Sequence, residues 1–224
     1  LSDRDADLAA VPRPSLHASA SPLGRWLIAQ GRAAIAGLIV LTLFTGVAFP
    51  AILWAIARAA FPAEAGGSLV AKGGEVVGSH LIGQAFTRPE DFHPRPSVAG
   101  AGYDARASGA SNLAPDNPKL IEAIQARAIA YRRENGLSDA VTIPSEAVTA
   151  SASGLDPDIS PPDAALQVPR VARARGLSAA AVRALVAAHT RPRQLFILGQ
   201  PRVNVLDLNV ALDAATGSRR TAPR

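Results

Sequence analysis

The hydrophobic pattern of the chain is dominated by one uninterrupted apolar run, Ala33 to Ala57, AAIAGLIVLTLFTGVAFPAILWAIA, with Arg32 before it and Arg58 after it. As a helix with ~1.5 Å rise per residue, the run is about 37 Å long, enough to cross about 30 Å of hydrocarbon with some tilt. A central Asp, Lys or Arg would cost roughly 2.5–3.5 kcal/mol there, so the lack of charge predicts a single membrane-spanning helix. The run exceeds the apolar core of a cleavable signal sequence, which favours an anchor over cleavage after Ala55-Ile56-Ala57. Pro50 has no N–H for the Gly46 carbonyl, which then needs a local kink or a neighbouring helix. Gly37 and Gly46 allow close backbone approach by such a neighbour.

Beyond the span the periodicity changes. Pro62 to Gly67 reads as a linker. Leu69-Val70 and Val76-Val77 flank Lys72-Gly73-Gly74, with Leu81-Ile82-Gly83-Gln84 close behind, a pattern of short β runs around paired glycines that predicts a hairpin or small meander. Residues 86–116 are rich in Pro and Gly and show no sustained period, which predicts a long irregular segment. Asn117-Pro118 opens a helix carrying Leu120, Ile124, Ala128 and Tyr131 on one face and ending at Gly136. Strands are expected around Val141–Ile143 and Ala147–Thr149. Ser160-Pro161 starts a second helix that Pro169 should kink or divide, with Gly176 ending it. Ser178 caps a third, with Leu177 placed to staple onto Val182. Leu195–Leu198 and Val203–Leu206 read as strands, and Asp207 to Ala215 as a last helix.

Four units follow from this reading. They are a disordered tail at 1–24 (a start-site extension would account for it), the membrane helix and its flanks at 25–61, an α/β (α+β) domain at 62–215, and a disordered tail at 216–224. The fold class is thus an α/β (α+β) soluble domain anchored by a single N-terminal transmembrane helix. Aromatic residues make up only 4% of the chain, so the core must be built from Val, Leu, Ile and Ala. The chain has no cysteine, which excludes disulfides, thiolate metal sites and cysteine nucleophiles. Arg13, Arg25 and Arg32 precede the span and Arg58 and Lys72 follow it, a lean toward a cytoplasmic amino terminus and an outward-facing domain.

Candidate chemistry is sparse. His17, His80, His93 and His189 form no helical pair at metal-ligand spacing, and neither a nucleophile elbow nor a phosphate-binding P-loop is present. Ser153-Gly154-Leu155-Asp156 reads as a turn. Ser108-Gly109-Ala110-Ser111-Asn112 presents small residues whose backbone N–H groups can form an anion-holding nest. The helices on either side of Gly176, with Arg170, Arg173, Arg175 and Arg183, also fit a helix-turn-helix, which gives a membrane-anchored DNA-binding regulator as the alternative function. The net charge of +5 is modest, and of 23 basic residues only Lys72 and Lys119 are lysine, so nucleic acid is not the expected partner.

Five blocks, in order behind the span, resemble the C subunit of the Kdp potassium pump. They are Gly78–Gln84 with Phe86, Pro89, Phe92 and Arg95-Pro96-Ser97; Ser108–Leu113 with Pro115 and Asn117-Pro118; Ala150–Pro161; Gln167–Leu177; and Pro201–Asn209. The resemblance covers about residues 30–213. It implies a non-catalytic subunit in the bacterial inner membrane, partnered by a channel-like A subunit, an ATP-hydrolysing B subunit and a small F subunit, with lipid around the span. It further implies a catalytic chaperone that raises the ATP affinity of the B subunit, with no tightly bound cofactor and no metal, and ATP reached only through the complex. In the family the block matching Ser108, Gly109, Ala110, Ser111 and Asn112 is the one associated with nucleotide. Here Ala110 replaces the usual glycine and Asp158 the usual His. The expected docking residues are Gly46 and Pro50 in the span, and Gln84, Phe86, Arg95, Pro96, Asn117, Gln167, Arg170 and Asn204 in the domain. An outward domain is remote from ATP, so its long polar loops are read as a docking surface with an indirect effect on ATP affinity.

Overall fold

The computed structural model describes residues 22–217. Most of the two expected tails lies outside the described residues. Pro22–Gly24, expected in the first tail, are helical, and Thr216 closes the last helix. The chain divides into two compact units, Leu1–Ala60 and Phe61–Arg224.

The first unit is one continuous helix, Pro22–Ala60, with a mean hydropathy of 2.2 over its most apolar window, long and apolar enough to cross a membrane. It comprises α1 (Pro22–Leu43), a π turn over Phe44–Ala48 and α2 (Phe49–Ala60). The π turn explains how the helix accepts Pro50. Phe49 N–H bonds back to the Phe44 carbonyl, which widens the turn ahead of the proline ring. The Thr45 hydroxyl also donates to the Leu41 carbonyl at 2.7 Å.

The second unit begins with a short helix, α3 (Pro62–Ala65), and the expected hairpin, β1 (Leu69–Lys72) against β2 (Glu75–Ser79). Gly73 and Gly74 both have positive φ, as a two-residue hairpin turn demands. The register shifts between Val70 and Ala71, a bulge in the pairing. The soluble helices that follow each start on a side-chain cap. Asn117 accepts from Lys119 N–H ahead of α4 (Pro118–Asn135), and Ser160 from Asp163 N–H ahead of α5 (Pro161–Arg175). Ser178 accepts from Ala181 N–H ahead of α6 (Ala179–Ala188), and Asn204 from Asp207 N–H ahead of α7 (Val205–Thr216). Between them β3 (Asp158–Ile159) and β4 (Thr190–Arg191) flank β5 (Arg202–Asn204) in an antiparallel sheet of order β3-β5-β4. The core joins Phe92 to Val168 and Val171 of α5, Val182 of α6, Val203 of β5, and Leu208 and Leu212 of α7. The architecture is a mixed α/β domain behind a single apolar helix.

Several expectations need correction. Pro62–Gly67, read as a linker, holds the short helix Pro62–Ala65, and the strand expected over Val203–Leu206 stops at Asn204, where α7 begins with Val205. Residues 141–149 form no strand. Pro144 interrupts them, a 3-10 turn occupies Ser145–Ala147, and Arg132 Nη1 donates to the Ser138 and Val141 carbonyls at 2.8 Å, in place of a ladder. Pro169 neither divides nor ends α5. Pro169 and Ala165 are both exposed, so the Ala165 carbonyl that loses its helical donor faces solvent. Leu195–Leu198 is an exposed turn and not a strand. Of the hairpin and the small meander that the sequence allows, the hairpin forms, and Leu81–Gln84 lies outside it. Its Gly83 N–H instead bonds the Leu155 carbonyl at 2.7 Å.

Candidate functional site

The irregular segment from residue 86 has no neighbouring strand to satisfy its backbone, and its route through the domain requires substitutes. Two buried carboxamides supply them. Asn209 Oδ1 accepts from Phe92 N–H at 2.8 Å while its Nδ2 donates to the Phe92 carbonyl at 2.9 Å. Gln167 does the same for the next residue, accepting from His93 N–H at 2.8 Å and donating to the His93 carbonyl at 3.1 Å. A side-chain amide carries the same donor and acceptor pair as a peptide, so the two imitate a strand rung on helices α7 and α5.

Arg170 extends this network. Its Nη1 reaches the Pro89 and Asp91 carbonyls at 2.7 and 2.8 Å, Nη2 reaches Gln167 Oε1 at 2.8 Å, and Nε reaches Asn135 Oδ1 at 3.0 Å. Burial lowers its pKa from the ordinary guanidinium value, against the raising effect of the nearby Glu134, Tyr131 and Asp91. Gln167 Nε2 also donates to Asp163 Oδ1, which accepts the Tyr131 hydroxyl at 2.5 Å. Burial raises the Asp163 carboxyl above its ordinary value, against the bonds from Tyr131 and Gln167. Burial, with the Asp163 carboxylate adding to it, raises the Tyr131 phenol as well. His93 Nδ1 lies 2.6 Å from Glu134 Oε1, and that hydrogen bond holds the Glu134 carboxyl below its usual range. Above this layer a cavity of about 240 Å³ opens among Phe86, His93, Tyr103, Arg127, Tyr131 and Glu134. Burial pushes the Tyr103 phenol up to about 12.

A second buried cluster sits at the ends of α5 and α7. Arg175 bridges Asp213 Oδ1 at 2.9 Å and Asp91 Oδ1 at 3.1 Å, while Lys72 and Arg88 take up the other oxygens of the two carboxylates at 3.3 and 3.1 Å. Both aspartates are almost fully buried. Breaking such a cluster at one member leaves an uncompensated charge, a loss of about 3–5 kcal/mol.

The sequence-predicted residues divide between the interior and the surface. Phe86, Gln167, Arg170 and Asn204 are buried within the domain and contribute to its packing and hydrogen bonding. Asn204 caps α7 and donates to the His80 carbonyl at 2.9 Å. Arg170 and Arg175 point inward, which removes half of the basic set expected of a helix-turn-helix, while Arg173 and Arg183 remain exposed. Gln84 lies against the Gly78 backbone, and Asn117 is a helix cap. Arg95 pairs with Asp156 at 2.9 Å, and Pro96 lines the cavity over His93. Gly46 and Pro50 are exposed along the apolar helix.

Ser108–Asn112 is an irregular segment that begins no helix. Ser108 Oγ donates to the Ser153 carbonyl at 3.0 Å and Gly109 N–H to the same oxygen at 2.9 Å, so that donor is committed within the domain. Ser111 and Asn112 are exposed, Asn112 with φ of 52°. Gly154 opposite has φ of 67°, and a Cβ there would lie 2.8 Å from Ala99 and 2.9 Å from the Gly109 carbonyl, so only glycine fits. Ser97 Oγ donates to the Gly154 carbonyl at 2.6 Å. Three blocks far apart in sequence thus meet on one surface. Among the described residues, no group of three or more His, Asp and Glu could hold a metal ion.

Sequence reasoning missed Asn209, Asp213, Asp163, Tyr131, Asn135 and Asp91. A signal for half of them exists. Asp163, Gln167 and Arg170 recur at helical spacing beside the buried Ala164, Val168 and Val171, and Asn209 and Asp213 recur beside Leu208 and Leu212. Polar stripes that share the core face of a helix mark a network and not a solvated side.

Residues 31–214 match the family model described as KdpC, the K+-transporting ATPase c chain. The chain is 55% identical to the potassium-transporting ATPase KdpC subunit of Beijerinckia indica over 82% of its own length and 92% of the relative's. It is 53% identical to that of Gemmatimonas aurantiaca, over 84% and 94% respectively. The subunit of Caulobacter vibrioides is 51% identical over the same shares.

Proposed function

Because the chain belongs to the KdpC family, the c chain of the K+-transporting ATPase, we propose that it serves as the accessory subunit of an ATP-driven potassium import complex. It is a non-catalytic, single-pass subunit of the inner membrane that modulates the ATP affinity of the complex. The observation that carries this is the extent of the match, which takes in the span and nearly all of the domain together. Its partners are the channel-like A subunit and the ATP-hydrolysing B subunit, with a small F subunit beside the span. The amino terminus is cytoplasmic and residues 61–217 face outward, supported by the lean of arginines toward the amino-terminal flank. On this reading the Ser108–Asn112 surface is a docking element, and ATP affinity changes through the assembly and not through contact with nucleotide. The commitment of Gly109 N–H to Ser153 supports that view.

Affinity purification of the full chain in mild detergent tests the proposal. Recovery of A and B subunits in fixed ratio is the expected result. Recovery of no partner, together with binding to duplex DNA that weakens steeply with salt, would favour a membrane-anchored regulator.

A further inference from the structure

The turn between Gln194 and Leu198 places the wrong residues for its geometry. Gln194 and Leu198 form an antiparallel bridge, their N–H groups and carbonyls bonded at 2.9 and 2.8 Å, and Ile197 N–H closes on the Gln194 carbonyl at 3.2 Å. The two central residues, Leu195 and Phe196, have φ of 49° and 66°. Such a turn favours Asn-Gly, because a non-glycine residue at positive φ is sterically strained. The same residues are also badly placed for water, Leu195 being 77% exposed, Phe196 90% and Ile197 73%. A tip that is both sterically strained and solvated at its apolar end gains nothing for the isolated domain.

We infer that Leu195, Phe196 and Ile197 form a preorganised knob that seats in an apolar pocket of a partner subunit of the same complex. The inference rests on the reading of the chain as a pump subunit. A protein pocket is favoured over a bilayer by two observations. Lipid needs no fixed shape, whereas this tip is held by its own hydrogen bonds. Binding to an anionic membrane surface draws on free cations, and two of the three arginines around the tip are paired with carboxylates, the third, Arg193, being held by a neutral amide. Arg191 pairs with Asp207 at 2.8 Å, Arg202 with Asp158 at 3.0 Å, and Arg193 donates to Gln200 at 2.8 Å. What remains is a rigid apolar projection with little charge beside it beyond that of Arg193, the form of an interface anchor.

The chain lacks cysteine, so Gln194→Cys gives a single labelling site beside the knob that leaves its apolar residues intact. The labelled full chain, carrying an environment-sensitive fluorophore, is compared in vesicles alone and after assembly with the partner subunits. The expected result is a blue shift on assembly only, with Leu195→Ser plus Phe196→Ser reducing recovered complex about ten-fold or more. A blue shift in vesicles alone would assign the knob to lipid and overturn the inference. Unshifted emission in a complex that assembles normally, or full assembly by the double variant, would overturn it while leaving the subunit reading intact. Failure of the unmodified chain to recover any partner would remove the subunit reading, and the inference with it.

Discussion

Asn209 replaces a strand partner by itself, because one carboxamide satisfies both backbone groups of the fully buried Phe92. Asn209→Leu keeps roughly the same volume but orphans one donor and one acceptor. At about 1–3 kcal/mol for each buried unsatisfied group, the expected loss is roughly 2–6 kcal/mol, read by denaturant unfolding of the full chain in detergent. A loss within the range of ordinary surface substitutions would show that the loop finds other partners. Asp163 gives a test with the opposite sign. Burial raises its folded pKa above the ordinary 3.8. The folded state therefore binds more protons than the unfolded state just above that value, and stability declines as pH rises through the folded pKa. Asp163→Asn retains an oxygen acceptor for Tyr131 and Gln167 and removes the buried charge. The variant should melt at or above the parent at pH 7, with the difference shrinking toward pH 4. A difference that grows on acidification would contradict the burial account.

The elements show what the sequence can and cannot disclose. The helices were legible because each is punctuated locally: Asn117, Ser160 and Ser178 at the starts, Gly136 and Gly176 with φ of 66° and 65° at the ends. Pro169 leaves its helix undivided because the effect of a proline depends on which face of the helix it occupies, and that is settled by packing. Residues 141–149 and 195–198 have strand-like composition, but a strand also needs a neighbour. In the first case the arginines of α4 take up the carbonyls, and in the second the chain turns back on itself. In the span, the π turn adapts the helix to Pro50, and a Cβ on Gly46, within that turn, would meet only the Thr42 methyl, at 4.0 Å. Gly46→Leu should reduce co-purification of the pump subunits at matched expression, while Ile39→Leu should not, because only the first fills a surface suited to close helix packing. Full assembly with Gly46→Leu would reduce the span to an anchor.

For the molecule as a whole, the family was legible in the sequence from five ordered blocks, but the way three of them meet was not. The contact of Ser108 and Gly109 with Ser153 spans more than forty residues, and the pairing of Arg95 with Asp156 more than sixty. Neither partner carries a local pattern that names the other. The central claim is that this composite surface faces outward, away from ATP, and acts on the pump by docking. Ser111→Cys tests it directly, since Ser111 is exposed in the middle of the surface and the chain has no other cysteine. Intact cells, their outer layer opened, are treated with a membrane-impermeant maleimide before and after the inner membrane is permeabilised. The account predicts full labelling before permeabilisation. Labelling only afterwards would place the surface in the cytoplasm with ATP and contradict the docking mechanism.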